Sequence, residues 1–322
     1  MSRIPDGLAS WPMTTGSRVL DRHAPAAAAA LDAVVASLWR VADARGRTNV
    51  VTTAARMSGS LLGTVPLLPV VPSGATGPGA GGSDGVAGAD WRAQDGLSND
   101  DYAILAFAEQ CVLDVSAVTP ELRSDFLAAA GPGAGDLAAA LWVVDVVPRT
   151  RTALDALFGP GTWPAPLEGG DDLWAALDGL ITVVPGLDAV DPVTSELVRL
   201  RGARQHRCRL CQSIRSRAAL RAGADESLFA AVDDYRGADL SPLQQAALAF
   251  TDGMLWTPGD LGPAVTELRA VATPAQQVEL VLDVTRNALN KIAVGLGADA
   301  AHIEDGIEIY DVEPDGSLVY GL

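Results

Sequence analysis

Glu196-Leu-Val-Arg-Leu-Arg-Gly-Ala-Arg-Gln-His206-Arg-Cys208-Arg-Leu-Cys211 sets two of the chain's three cysteines three residues apart, in a segment that reads as helix. Residues i and i+3 of a helix share a face, so the two sulfurs can meet. A thiol pair held in this way can attack a substrate, close to a disulfide and be reduced again. The reactive form is the thiolate. Arg204, Arg207, Arg209 and Arg215 crowd the motif, and a helix starting near Cys208 would add its N-terminal dipole. Both effects favour the anion. Arg215, four residues after Cys211 and seven after Cys208, lies on the face of both cysteines. Glu196, on the preceding helix, is placed to accept a proton from a thiol or to position a water.

The remaining composition describes a scaffold. The chain has 322 residues, enough for one large or two ordinary domains with a sizeable core. Aromatic residues are only 5% and hydrophobic residues 48%, so the core must be built from Ala, Leu and Val, a mixture that favours helices. Forty acidic against 23 basic residues give a formal net charge of −17, which argues against nucleic acid and anionic membranes as partners. No apolar run reads as a membrane span, and the N-terminal Met-Ser-Arg-Ile-Pro-Asp-Gly lacks a signal-peptide pattern, so a cytoplasmic location is expected. Three cysteines do not make a disulfide framework. Zinc would need four ligands, and beyond the pair only Cys111, His23, His206 and His302 remain, at no recognisable spacing. No metal or cofactor is therefore expected.

The chain repeats itself. Leu38–Leu61 aligns without gaps with Leu197–Leu220, matching at Leu38, Arg40, Ala44, Arg45, Arg56 and Leu61. Leu97-Ser-Asn-Asp-Asp-Tyr-Ala-Ile-Leu-Ala-Phe107 aligns with Leu240-Ser-Pro-Leu-Gln-Gln-Ala-Ala-Leu-Ala-Phe250, and Val143, Asp145, Val146 and Gly159 align with Val281, Asp283, Val284 and Gly297. Three blocks in the same order point to an internal duplication. The first copy lacks the chemistry: Ser37, Asn49 and Thr52 stand where Glu196, Cys208 and Cys211 stand. Cys111 aligns with Met254 on an apolar helix face and reads as core filler.

Helix starts recur at Thr119-Pro120, Asp191-Pro192, Ser241-Pro242-Leu243-Gln244 and Thr273-Pro274-Ala275-Gln276, each an N-cap followed by proline. Gly159 and Gly297 read as helix stops. Residues 66–89, rich in Pro, Gly, Ser and Ala, read as a long loop. The connection between the halves holds a helix around Leu173–Val183. The tail around Glu313-Pro-Asp-Gly316 alternates apolar and polar residues and reads as a β-hairpin, the one strand signal in the chain. Asp283, Arg286 and Asn287 read as buried polar contacts with no assigned chemistry.

Glu196, then Cys208 twelve residues on, then Cys211, resembles the Glu…Cys-x-x-Cys core of the alkylhydroperoxidase D-like family, within the carboxymuconolactone decarboxylase superfamily. The helices at Leu240–Phe250 and Gln276–Gly297 are similar to those that follow the motif there. The resemblance covers Val193–Gly297, and reaches the N-terminal half through the duplication. It implies an all-α fold of two fused helical domains, a degenerate one over 1–165 and a Cys-bearing one over 192–300, joined by a linker at 166–191 and followed by the tail 301–322. It further implies a homo-oligomer; the duplication suggests a homodimer or homotrimer.

The implied activity is that of a thiol-dependent peroxidase or disulfide reductase. It would act on a peroxide or small disulfide and be recharged by a dithiol partner. The implied catalytic residues are Cys208, Cys211 and Glu196, with Cys211 attacking and Cys208 resolving. The family places a proton-relaying His four residues after the second cysteine; here Arg215 stands there, and arginine does not give up its proton. His206 is the one nearby imidazole that could take that part. Two other readings remain: a redox sensor that forms the disulfide without turnover, and cysteine-independent small-molecule chemistry as in the decarboxylase members.

Overall fold

The computed structural model describes residues 15–68, 90–163 and 172–321, and is 71% helix with 4% strand. The loop expected at 66–89 falls outside the described residues from 69 onward, as do 164–171 of the stretch between the halves. The N-terminal half is built from α1 (Gly16–His23), α2 (Pro25–Ala44), α3 (Thr48–Leu62), α4 (Asn99–Asp114), α5 (Pro120–Ala130) and α6 (Ala134–Phe158). Helix α7 (Leu173–Val183) falls where the sequence placed it. The C-terminal half runs α8 (Pro192–Gln205), α9 (Arg209–Ser213), β1 (Ile214–Ser216), α10 (Arg217–Arg221), α11 (Glu226–Ala230), α12 (Pro242–Trp256), α13 (Gly262–Val271), α14 (Pro274–Asn287) and α15 (Asn290–Leu296), then β2 (Glu308–Val312) and β3 (Leu318–Tyr320).

Local chemistry fixes the helix starts. Ser241 and Thr273 each accept the backbone N–H of the third helical residue, while Gln244 and Gln276 reach back to the cap N–H, completing capping boxes. Thr119 and Asp191 cap α5 and α8 with proline at the next position. Helix α6 is apolar around nearly its whole circumference, from Leu137 to Val147, and such a helix must be central. It packs against α1, α2, α3, α5, α7, α12, α13, α14 and α15. One apolar cluster accordingly runs through both halves, and a smaller one around Leu197, Leu200, Phe229 and Leu248 belongs to the C-terminal half. Two stretches, Pro25–Ala44 and Pro120–Phe158, are long and apolar enough by length and composition to cross a membrane. That corrects the expectation that no apolar run is long enough for a membrane span. About half of each is buried in this fold, as core helices also are.

Two features depart from the sequence reading. The tail does form an antiparallel hairpin, β2–β3, but β2 also pairs in parallel with β1, so the sheet has three strands. The helix expected from Gln276 to Gly297 is interrupted at Ala288–Leu289. There Leu289 N–H bonds the Arg286 carbonyl and Lys291 N–H the Ala288 carbonyl, both three residues back, which tightens the turn. The same Ala288 carbonyl accepts the buried Trp142 indole N–H at 2.9 Å.

Beyond the break, Lys291 pairs with Asp145 of α6. Asp145 also takes Arg149 Nε at 2.8 Å, and Arg149 donates to the carbonyls of Val112 and Leu255. This buried cluster joins α4, α6, α12 and α15. Removing Asp145 would leave two buried cations without a counter-charge. Asp145→Ala is expected to cost about 3–5 kcal/mol in urea unfolding; a loss below about 1 kcal/mol would mean the cluster does not hold the halves together.

Candidate functional site

Glu196 and Arg199 are one turn apart on α8 and form a bidentate pair: Nε to Oε2 at 2.6 Å and Nη2 to Oε1 at 2.7 Å. Both are buried. The other guanidinium hydrogens reach the turn that carries the cysteines, Nη1 to the Cys211 carbonyl at 2.7 Å and Nη2 to the Ile214 carbonyl at 2.8 Å. Glu196 is filled from the far side by Ser216 N–H and by the Tyr310 hydroxyl, each at 3.0 Å. Burial, and then the Glu196 charge, push the Tyr310 hydroxyl up, so it remains a donor. The carboxylate thus has two donors on each oxygen. It reaches the cysteine motif through Arg199 and the backbone, not by contact with a sulfur.

Helix α8 ends at Gln205, and Arg207 turns the chain with φ 51°, a left-handed conformation uncommon for a side-chain-bearing residue. Cys208 is then the N-cap of α9, its sulfur accepting the Cys211 N–H at 3.2 Å. Cys208 and Cys211 form a disulfide, with their Cα atoms 5.3 Å apart. Cys208 is only 1% exposed, whereas Cys211 is partly exposed. The two other free N–H groups of this turn go to Asp299: Arg209 N–H to its carboxylate and Leu210 N–H to its carbonyl, both at 2.9 Å. Arg209 closes on the same carboxylate at 2.7 Å.

A second line of contacts reaches Cys211 from α15. The tightened turn at Ala288–Leu289 brings Asn290 over the motif, where its Nδ2 donates to Cys211 Sγ at 3.7 Å. The Asn290 Oδ1 faces His206 Nδ1 at 2.6 Å, so Nδ1 carries the proton. Burial, followed by the nearby Lys291 charge, pushes His206 down to about 3. His206 is therefore a neutral, fixed donor near pH 7, and the role of proton shuttle expected of it does not suit that state.

Other expectations are also revised. The helix through the cysteines stops at Ser213, so Arg215 lies on β1 and not on the cysteines' helical face. Its guanidinium makes a two-pronged pair with Glu226 at 3.0 Å and donates to the carbonyls of Gln212 and Ile214. Arg204 pairs with Asp233 and Arg209 with Asp299. Three of the four arginines that crowd the motif thus have carboxylate partners. Cys111 faces Lys291 and Asp145 across a small cavity, and burial pushes its thiol up to about 12, an unreactive state. Sequence reasoning missed Arg199, Asn290, Asp299 and Tyr310. Only Arg199 gave a local signal, three residues after Glu196.

The chain is 41% identical over 227 residues to two proteins of Mycobacterium tuberculosis strains, uncharacterized protein MT2376 and uncharacterized protein Rv2313c; each match covers 68% of this chain and 80% of the relative. This chain belongs to their family. No protein-family model and no solved structure matches it.

His206 makes the fold acid-sensitive. Its pKa is depressed from 6.5 in the open chain to about 3 in the fold. Its contribution is complete above pH 6.5 and is lost as pH falls toward 3, because only the unfolded chain takes up the proton. Between pH 7 and pH 4.5 this should remove about 2–3 kcal/mol. His206→Asn should lose that much less than the parent over the same interval in urea titrations. Equal acid losses in the two proteins would refute the assignment.

Proposed function

We propose that this protein is a thiol–disulfide oxidoreductase of the alkylhydroperoxidase D-like type, cycling Cys208 and Cys211 between dithiol and disulfide. The observation that carries the reading is the pair itself. One sulfur is buried and the other partly exposed beneath an amide donor, on the turn that follows the Glu196-bearing helix. With a peroxide, the Cys211 thiolate attacks one oxygen; an S–O bond forms, the O–O bond breaks, and the alkoxide leaves with a proton from water. The Cys208 sulfur then displaces hydroxide, which takes up the Cys208 proton and departs as water. A dithiol donor reduces the resulting disulfide and is itself oxidised.

Asn290 supports this cycle by donating to the attacking sulfur, a bond that strengthens as the sulfur becomes an anion. Glu196, His206 and Arg215 offer no free proton donor at the sulfur. This favours exchange with small disulfides, or slow peroxide turnover, over fast peroxidase chemistry.

The duplicated architecture has two supports. The aligned blocks fall on equivalent elements in order: α2–α3 with α8–α10, the start of α4 with that of α12, and α6 with α14–α15. Ser98 and Ser241, at matching positions, both anchor capping boxes, and Gly159 and Gly297 both end helices. The N-terminal half would then supply packing to the half that carries the cysteines.

A second reading, a redox sensor without turnover, draws on the same saturation of Glu196 and the Arg215–Glu226 pair. It predicts a reversible Cys208–Cys211 bond and no sustained peroxide loss with any dithiol donor.

Thiol titration of the reduced protein after substoichiometric peroxide should show two thiols lost per peroxide, with Cys111 retained. Survival of both Cys208 and Cys211 while a control thiol is consumed would defeat the peroxidase reading. Asn290→Ala should raise the pKa of Cys211 by about one unit, corresponding to a hydrogen bond of about 1.4 kcal/mol. An unchanged thiolate titration, followed by ultraviolet absorbance, would remove Asn290 from the site.

A further inference from the structure

A cavity of about 210 Å³ lies between α8, α14, β2 and the segment leading into α8, with Glu196 and Arg199 on its wall. It is several times the space that a single water needs. Neither cysteine lines it. Glu279, Asp283 and Asn287, each four residues apart on α14, line it together with Arg286, three residues after Asp283, all on one side of the helix.

Glu279 accepts the Ala189 N–H at 2.7 Å and Ser195 lies beside Asp283, but the polar capacity of the other three side chains is incomplete. Among the described residues, Asp283 Oδ2 is buried with no partner. Burial, then the charge of Glu279 one turn away, push the Asp283 carboxyl up to about 7. Among the described residues the one hydrogen bond of Arg286 runs from Nε to the Ile181 carbonyl at 3.0 Å, which leaves its two terminal nitrogens open to the cavity. The Asn287 amide, also on the cavity wall, likewise makes no hydrogen bond to the described residues. Glu196, Arg199 and Tyr310, which also line the cavity, are by contrast satisfied by one another.

The duplication indicates what is missing. Asp283 aligns with Asp145, and at Asp145 the chain itself supplies an ammonium, Lys291 Nζ, and a guanidinium, Arg149. At Asp283 the chain supplies the nearby Arg286 charge but no ammonium, and the carboxyl lines the cavity instead. An anion alone at Arg286 would sit beside two carboxyl groups, and a cation alone would leave the Arg286 and Asn287 donors unanswered. A ligand with both charges answers both.

We propose that this cavity binds a small zwitterion of the α-amino-acid type, its ammonium on Asp283 and Glu279 and its carboxylate on Arg286 and Asn287. Binding is independent of the cysteine chemistry, so it survives in a Cys208→Ser/Cys211→Ser double variant. The test is titration calorimetry of the full chain with glycine, L-alanine and L-leucine, with propionate and ethylammonium as the single-charge halves.

At least one amino acid should bind with Kd below about 1 mM, and each half at least about ten-fold more weakly. Arg286→Gln should reduce amino-acid binding to the level of ethylammonium, and Asp283→Asn to that of propionate. Both should keep the helical circular dichroism of the parent. If either variant fails to fold, Asn287→Ala provides the check, weakening the amino acid and propionate but not ethylammonium. Propionate binding as tightly as the amino acids would make this an anion site and overturn the proposal. So would ethylammonium binding as tightly, or the absence of any heat with all five probes.

Discussion

Arg199 is the side chain on which the site depends. A buried guanidinium is tolerable only when its charge is matched and its hydrogens are placed, and here both conditions are met. Glu196 supplies the charge, while the carbonyls of Cys211 and Ile214 take two of the remaining hydrogens. The pair therefore works as a backbone clamp. It fixes the exit from the cysteine turn, which lets Ile214–Ser216 enter the sheet in register with Glu308–Tyr310. The sheet in turn brings the Tyr310 hydroxyl onto Glu196. Helix, turn and sheet close a loop of mutual constraint around one carboxylate.

The Asp145 cluster plays the corresponding part on the other side of the motif. It holds α15 against α6, and the two-residue break before α15 sets its rotation. Lys291 faces Asp145 while Asn290, its neighbour, faces Cys211. One turn of backbone thus serves both the core and the sulfur. The N-terminal half, which carries no cysteine pair of its own, contributes to the site by providing the anchor for that turn.

What the sequence revealed and what it hid divide by the range of the interaction. Helix starts were legible because a cap and its box lie within four residues, as at Ser241–Gln244 and Thr273–Gln276. The hairpin was legible from its alternation and turn, and the cysteine pair from its spacing. Strand β1 was not, since Ile214-Arg-Ser216 becomes a strand only because β2 is beside it, more than ninety residues later in the chain. The partners of the motif were hidden for the same reason. Asn290 reaches Cys211 from 79 residues away, Asp299 reaches Arg209 from 90, and Tyr310 reaches Glu196 from 114. Arg215 was misplaced because helical spacing was extended past Ser213, where the backbone had already changed its period from 3.6 to 2.

The asymmetry of the two sulfurs sets the direction from which electrons can enter. Cys208 sits within the apolar cluster that spans both halves, shielded from solvent, while Cys211 retains some exposure. An incoming thiolate must line up behind the sulfur it attacks, opposite the one it displaces, and only Cys211 offers that approach. In the proposed cycle the mixed disulfide would form on Cys211, with Cys208 released as the leaving group into a turn whose Cys211 N–H already points at it. Burial would then make that proposed reduction regiospecific, whichever thiol delivered the electrons.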